Sequence, residues 1–165
     1  MEAKERVIKH YKESIEIVES LRNLSNITWF RPIAEGKWSI CEVIGHLIYW
    51  DHFVLEKRLP YLFLENKKLE SVNVQEMNAK AAFESKVKIK EDVIKEFVEE
   101  RLKIIEKLNL MSTGEFFKSF RIGNNNLTMD KYFEGLIEHD LHHFRQIQDF
   151  LNYFEEDTIE KRSNL

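Results

Sequence analysis

The chain has 165 residues and a formal net charge of −4; 33% of its residues are charged and 43% are hydrophobic. Because it contains only 5 glycines and 2 prolines, the composition favours long helices over short strands joined by tight turns, and we expect one all-α domain over residues 1–165. Lysine and arginine are dispersed along the chain, which argues against nucleic acid as a partner.

The sequence also carries no sign of a membrane or of an oxidising compartment. No apolar run approaches the ~18 residues of a membrane span, and the N-terminal stretch MEAKERVIKH lacks the apolar segment of a signal peptide. Cys41 is the single cysteine, so an internal disulfide cannot form. We therefore expect a cytoplasmic protein without membrane contact.

Hydrophobic periodicity predicts four amphipathic helices. Their approximate bounds are 4–24, 39–59, 89–110 and 129–154, and a charged tail follows over about 155–165. The second helix has a defined start, because Ser39 and Glu42 have the spacing of a capping box. In the third helix, glutamates and lysines alternate outside the apolar stripe, and we interpret this charge run as a solvated face.

The connections between these helices differ in length and character. Segments 23–37 and 112–126 are predicted to be turn-containing loops, and they carry large aromatics such as Trp29 and Phe116. Segment 65–88 is polar and weakly periodic. Since short loops join antiparallel neighbours, ~20 intervening residues indicate a crossover along the bundle, with room for a short helix.

Two histidines lie one helical turn apart in the last predicted helix. His139 and His143 fall on the same apolar stripe as Leu136 and Ile147, so both imidazoles point toward the core. An unpaired buried polar group costs roughly 1–3 kcal/mol, and either core hydrogen bonds or one shared metal ion would remove that cost. On the second helix, His46 lies at the rim of the apolar stripe and can also face the bundle interior.

The other histidines fit this pattern less well. His142 lies off the stripe centre, and His10 and His52 are interpreted as ordinary core or surface residues. The stretch matches the H-E-x-x-H motif of zinc peptidases only in part, because Asp140 has a shorter side chain than the glutamate of that motif. A di-iron bundle needs Glu-x-x-His on two helices, and only Asp140-x-x-His143 comes close, so one ion fits better than two.

Two segments carry a resemblance to a known family. Residues 38–51 read WSICEVIGHLIYWD and residues 139–147 read HDLHHFRQI. They resemble the W-S-x-x-E-x-x-x-H-L and H-x-x-x-H-x-x-Q-I patterns of the DinB/YfiT-like family of metalloenzymes. The resemblance spans nearly the whole chain and implies an up-down-down-up four-helix bundle, with the long connection between helices two and three. It also implies one divalent ion, nickel or zinc, held by His46, His139 and His143.

The same resemblance implies an enzymatic function. The family includes transferases and isomerases that use low-molecular-weight thiols such as bacillithiol or mycothiol. We therefore expect a thiol S-transferase that acts on a small electrophile. The first alternative is a metal-dependent hydrolase, and the second is a non-catalytic metal-binding bundle of the stress response, which could act as a homodimer. Three neutral imidazoles would leave the ion an open position, as in catalytic rather than structural sites.

The sequence does not fix a general base. Asp51, Asp140 and His142 are candidates because they lie near the predicted ligands, but none of them is singled out by its spacing.

Aromatic residues are expected to surround the site. Trp38 and Trp50 should be largely buried around the second helix, as part of its scaffold. Loop aromatics such as Trp29 or Phe116 should lie near the open face of the metal.

Overall fold

A computed structural model of the chain describes residues 3–64, 69 and 71–163, with side chains described up to residue 154. The long helices are α1 (Ala3–Ser20), α3 (Ile40–Phe53), α5 (Lys90–Leu110) and α7 (Met129–Ser163). Shorter elements are α2 (Asn26–Phe30), α4 (Val74–Ser85), α6 (Thr113–Phe116), β1 (Ser119–Ile122) and β2 (Asn125–Thr128). The last helix therefore continues into the predicted charged tail instead of ending near residue 154.

Helix α1 packs against both α5 and α7, and side-chain contacts give the directions. Lys4 at the start of α1 donates to the carbonyl oxygen of Met111, and Lys90 at the start of α5 donates to that of Leu24, so α1 and α5 are antiparallel. Arg6 contacts Glu134, and His10, one turn later on α1, contacts Asp140, which is also later on α7. Those two helices are parallel.

Helix α3 lies on the opposite side of the bundle, also between α5 and α7. Ile44 of α3 belongs to the same apolar cluster as Val93 of α5. Val54, which directly follows α3, belongs to the same cluster as Ile104, further along α5. Helices α3 and α5 therefore run parallel, and the bundle has the predicted up-down-down-up order. The four-helix-bundle prediction is confirmed.

The connection between α3 and α5 is long because parallel neighbours cannot be joined by a tight turn. Its described part contains the short helix α4, which packs against α3. A Cβ built on Gly45 would lie 2.3 Å from the Cβ of Ser85, so the two helix backbones approach closely where α3 has no side chain. Residues 65–68 and 70 of this predicted crossover lie outside the described residues.

The helical rod of α3 does not stop at Phe53. It continues through a π-helical turn over Val54–Arg58 and a 3-10 turn over Leu59–Tyr61. Pro60 lies inside the 3-10 turn, near its start, where a missing N–H is tolerated. The predicted extension of this helix toward residue 59 is therefore present, with altered helical geometry.

The predicted loop 112–126 is more ordered than expected, because it contains α6 and most of a β-hairpin. Strands β1 and β2 pair antiparallel from Ser119 with Thr128 to Ile122 with Asn125. The two-residue connection begins with Gly123, whose φ of 55° lies in the left-handed region that glycine adopts without strain. The hairpin is a minor addition at one end of an all-α fold.

The third predicted helix differs from expectation on one point. Its charge run is not entirely solvated, because Glu100 and Arg101 are buried between helices. None of the described helices combines the length and the apolar character that crossing a lipid bilayer requires.

Candidate metal centre

The predicted histidine triad comes together where α3 and α7 face each other. We call His46, His139 and His143 the histidine cluster. The Nε2 atoms of His46 and His139 are 3.0 Å apart, and one ring nitrogen from each of the three residues lies within 4.8 Å of the other two. Among the described residues, no other group of histidine, cysteine or carboxylate side chains has this arrangement.

Local sequence explains how each ring is positioned. The side chain of Ser39 accepts from the amide of Glu42, and the Glu42 carboxylate accepts from the Ser39 amide, so the predicted capping box is formed. This cap sets the start of α3, two turns before His46. On α7, His139 and His143 are one turn apart and present adjacent rings, with centroids 4.7 Å from each other.

Burial keeps the three imidazoles neutral. Desolvation, followed by the charges that His139 and His143 would carry, lowers the pKa of His46 to about 3. Desolvation and the neighbouring His139 likewise lower the pKa of His143 to about 4, and burial also lowers the pKa of His139. Neutral rings retain the lone pairs that a metal ligand needs, so the cluster is in the protonation state for coordination at neutral pH.

The hydrogen bonds around the cluster also fit a metal ion. Nδ1 of His143 donates to the side-chain oxygen of Gln146 at 2.9 Å, which leaves the lone pair of this ring on Nε2. Nδ1 of His46 is buried and has no hydrogen-bond partner among the described residues. Three uncharged nitrogen donors suit zinc or nickel, and a fourth position would stay open. The residues present therefore fit the ion that the sequence predicts.

Two tryptophans border the cluster. The Trp38 ring centroid lies 5.0 Å from that of His46 and 6.4 Å from that of His143. Trp50 meets His46 edge-on, with centroids 6.4 Å apart. Both tryptophans are partly buried and most of each residue is covered, in agreement with the expectation that they are largely buried. They form part of the wall of the site.

The loop aromatics lie elsewhere. Trp29 and Phe116 are both 0% exposed and belong to two different apolar clusters of the core. A fully buried ring cannot line an open face, so the expectation for these two residues is wrong. Each packs into the bundle because its loop crosses an apolar end of the helices.

The three candidate bases occupy different environments. Asp51 and Asp140 are buried and both accept hydrogen bonds from Arg101. Burial raises the pKa of Asp51 to about 7 against the opposing effect of Arg101, whereas Arg101 and His10 hold the pKa of Asp140 at about 2 despite its burial. His142 is exposed, with its ring centroid 5.2 Å from that of His143.

Sequence reasoning missed Arg101. We call Arg101, Asp51 and Asp140 the arginine cluster. Position 101 continues the spacing of the buried residues Phe97 and Ile104, so it falls on the apolar stripe of α5. An arginine on such a stripe is the signal that could have identified it.

The remaining histidines contact carboxylates. Nε2 of His10 lies 2.8 Å from Oδ2 of Asp140. His52 lies between Glu96 and Glu100, with one ring nitrogen 3.2 Å from each carboxylate. Neither ring belongs to the histidine cluster.

Comparisons with known proteins agree with this fold. A family model described as the DinB superfamily matches residues 11–147. The structure of YfiT from Bacillus subtilis, described as a probable metal-dependent hydrolase with an unusual four-helix bundle topology, is similar with a TM-score of 0.75 at 14% identity. That similarity covers 92% of this chain and 87% of YfiT. No curated protein matches the chain.

A second solved structure corrects one prediction. The colibactin self-resistance protein ClbS, determined in complex with a dsDNA, is similar with a TM-score of 0.71 at 12% identity, covering 90% of this chain and 94% of ClbS. A protein of this fold therefore binds duplex DNA, and the exclusion of nucleic acid from the partners is wrong. That exclusion used the charge of the whole chain, whereas contact with DNA depends on the local surface that a fold presents.

Proposed function

Because the chain belongs to the DinB superfamily, we propose that it is an enzyme that depends on one divalent metal ion held by His46, His139 and His143. The observation that carries this proposal is the convergence of three neutral, largely buried imidazoles from two helices. When bound, such an ion supplies a Lewis acid that lowers the pKa of a coordinated water or thiol, which makes a nucleophile available near neutral pH.

The chain's own residues prepare the site for this role. Gln146 orients the His143 ring through its Nδ1 atom, and the packing of α3 against α7 sets the separation of His46 from His139. The rings of Trp38 and Trp50 both lie against the His46 ring and contribute to its burial. Zinc and nickel both accept three imidazole nitrogens, and we propose one of them as the resident ion.

Among the candidate bases, His142 is best placed to exchange protons with solvent. Its ring is exposed and lies beside His143 on the same helix. Asp51 and Asp140 are already engaged by Arg101, and using either as a base would disrupt a buried ion pair. We therefore assign the proton-transfer role to His142.

Two reactions use the same nucleophile-activating site. In S-transfer, a thiolate sulfur forms a bond to an electrophilic carbon while the leaving group departs, and the sequence motifs favour this reaction through their resemblance to thiol-dependent enzymes. In hydrolysis, water takes the place of the thiol. The description of YfiT as a probable metal-dependent hydrolase favours this second candidate.

One set of assays separates these candidates. Protein reloaded with Zn²⁺ or Ni²⁺ is given an aryl halide with added thiol, and separately an activated ester without thiol. We expect metal-dependent turnover of the first substrate that is lost in His143→Ala. Turnover of the ester alone would assign the hydrolase instead. Stoichiometric metal binding without turnover of either substrate would support the non-catalytic bundle.

A separate binding measurement with duplex DNA tests whether this chain also binds DNA, as in the complex described for ClbS.

A further inference from the structure

One buried guanidinium joins all four long helices of the bundle. Arg101 of α5 is 1% exposed, and its Nε donates to Oδ2 of Asp51 on α3 at 2.7 Å. The two terminal nitrogens donate to the two carboxylate oxygens of Asp140 on α7, at 3.0 Å for the Nη2 bond. Nη1 also lies 3.5 Å from the hydroxyl of Ser14 on α1. A single side chain therefore connects α5 to each of the other three helices.

Two aromatic rings also lie against the guanidinium. Its central carbon lies 4.5 Å from the centroid of the Tyr11 ring and 4.7 Å from that of Phe97. Asp140 has a further partner, because Nε2 of His10 lies 2.8 Å from its Oδ2 atom. These rings and the directional hydrogen bonds to both carboxylates restrict the orientation of Arg101, and Arg101 in turn restricts the two aspartates.

Both aspartates lie beside the metal-binding residues in the chain. Asp140 follows His139 directly on α7, and Asp51 lies little more than one turn beyond His46 on α3. The arginine cluster thus connects the two helices that carry the histidine cluster, next to the point where the histidine rings meet. Any sliding of α3 against α7 would break hydrogen bonds in both clusters.

A small shift between α3 and α7 would be enough to disrupt a metal site. A helix slipped by one residue moves its side chains by about 1.5 Å along the axis, whereas metal–ligand distances are maintained within about 0.2 Å. Apolar packing alone tolerates alternative registers, because Leu, Ile and Val side chains can repack. A bidentate arginine with two carboxylates does not tolerate such a shift, since its hydrogen bonds are directional.

From these contacts we infer that Arg101 is a positioning residue for the metal centre. Through Asp51 and Asp140 it sets the register of α3 against α7, and so brings the ring nitrogens of His46 and His139 into reach of one ion. This role rests on the metal dependence proposed above. Buried ion pairs often add little net stability and can be replaced by apolar residues at small cost. We therefore expect the ion pairs of Arg101 to contribute mainly by fixing the relative positions of α3 and α7.

The test removes the guanidinium and both carboxylates together, so that neither the cation nor a carboxylate of the cluster is left without the other. The variant Asp51→Leu/Arg101→Met/Asp140→Leu and the wild type are compared for affinity toward Co²⁺ and for the visible spectrum of the Co²⁺ complex. We expect the triple variant to fold, as seen by circular dichroism, and to bind Co²⁺ at least about tenfold more weakly with an altered spectrum. Arg101→Lys, which keeps the charge but loses the fork of donors, should give an intermediate affinity.

A matched control lies on the same helix. Lys90 is also a buried cation of α5, but it lies at the first residue of the helix and donates to the Leu24 carbonyl oxygen instead of to the two aspartates. Lys90→Met should leave Co²⁺ affinity and spectrum unchanged. If the triple variant folds and binds Co²⁺ with wild-type affinity and spectrum, or if it cannot fold while Arg101→Lys binds normally, the positioning role is overturned. If the wild type itself fails to bind Co²⁺, the proposed metal dependence is wrong.

Discussion

The histidine cluster and the arginine cluster lie next to each other in the core of this bundle. They differ in how completely their polar atoms are hydrogen-bonded. In the histidine cluster, two Nε2 atoms face each other at 3.0 Å and Nδ1 of His46 is buried without a partner in the described part of the chain. In the arginine cluster, cation and carboxylates are matched by direct hydrogen bonds. Ring nitrogens that face each other among three imidazoles suit a shared ligand, whereas fully paired polar groups have a structural role.

The largest effect is expected from removing one histidine of the histidine cluster. His143→Ala takes away one of three proposed ligands, and we expect stoichiometric binding of Zn²⁺ or Ni²⁺ to be abolished, as measured by equilibrium dialysis and metal analysis. The control is His142→Ala, since His142 is adjacent but exposed. If His142→Ala abolished binding and His143→Ala did not, the ligand assignment would be wrong.

A single substitution in the arginine cluster should lower the stability of the protein. Arg101→Met leaves two buried carboxylates without their cation, and we expect it to lower the free energy of unfolding by about 3–5 kcal/mol. Urea unfolding of the metal-free protein measures this loss. Replacing Asp51 and Asp140 by leucine in the same chain should recover most of it. A loss below about 1 kcal/mol for the single variant would contradict the view that this cluster is tightly coupled.

A smaller effect should come from the residue that orients His143. Gln146→Leu removes the acceptor of the Nδ1 hydrogen bond, and loss of such a partner typically costs about 10–100-fold in metal affinity. Gln146→Glu keeps an acceptor and should lose less. The matched control is Gln148→Leu, because Gln148 is exposed and bonds Asn152 on the same helix. Equal affinities for Gln146→Leu and Gln148→Leu would show that this hydrogen bond is irrelevant to the site.

The protonation of the histidine cluster gives a further test in metal-free protein. Burial lowers the pKa of His46 from 6.5 to about 3, so below pH 6.5 the unfolded chain binds a proton that the folded chain does not. The stabilisation is therefore complete above pH 6.5 and is lost as the pH falls toward 3, with about 2 kcal/mol lost by pH 5. The free energy of unfolding is measured for the wild type and for His46→Leu with chelator present. Between pH 6.5 and pH 5, the wild type should lose about 2 kcal/mol more than His46→Leu, which lacks this imidazole. A difference that does not vary with pH would contradict the burial of a neutral imidazole.

Much of the site was predictable because its signals are local. The one-turn spacing of His139 and His143 lies within a single helix, and the capping box of Ser39 and Glu42 lies within a single turn. The bundle class follows from periodicity and composition, and the length of the connection to α5 indicated that it joins parallel helices. Local patterns of this kind do not depend on where the rest of the chain folds.

The rest was not predictable because it depends on contacts between distant segments. Arg101 pairs with residues 50 positions before it and 39 positions after it, and no pattern within α5 specifies those partners. Trp29 was expected near the open face of the metal, yet tertiary packing buries it completely in the core. The hairpin after α6 was missed since its glycine turn was interpreted only as a sign of a loop.

The most direct test of the central claim, that the histidine cluster holds one divalent ion, is X-ray absorption spectroscopy of the zinc-loaded protein combined with its metal stoichiometry. We expect one ion per chain, with scattering from three imidazole nitrogens at about 2.0–2.1 Å. Zinc that binds below stoichiometry, or that shows fewer than three imidazole ligands, would contradict it.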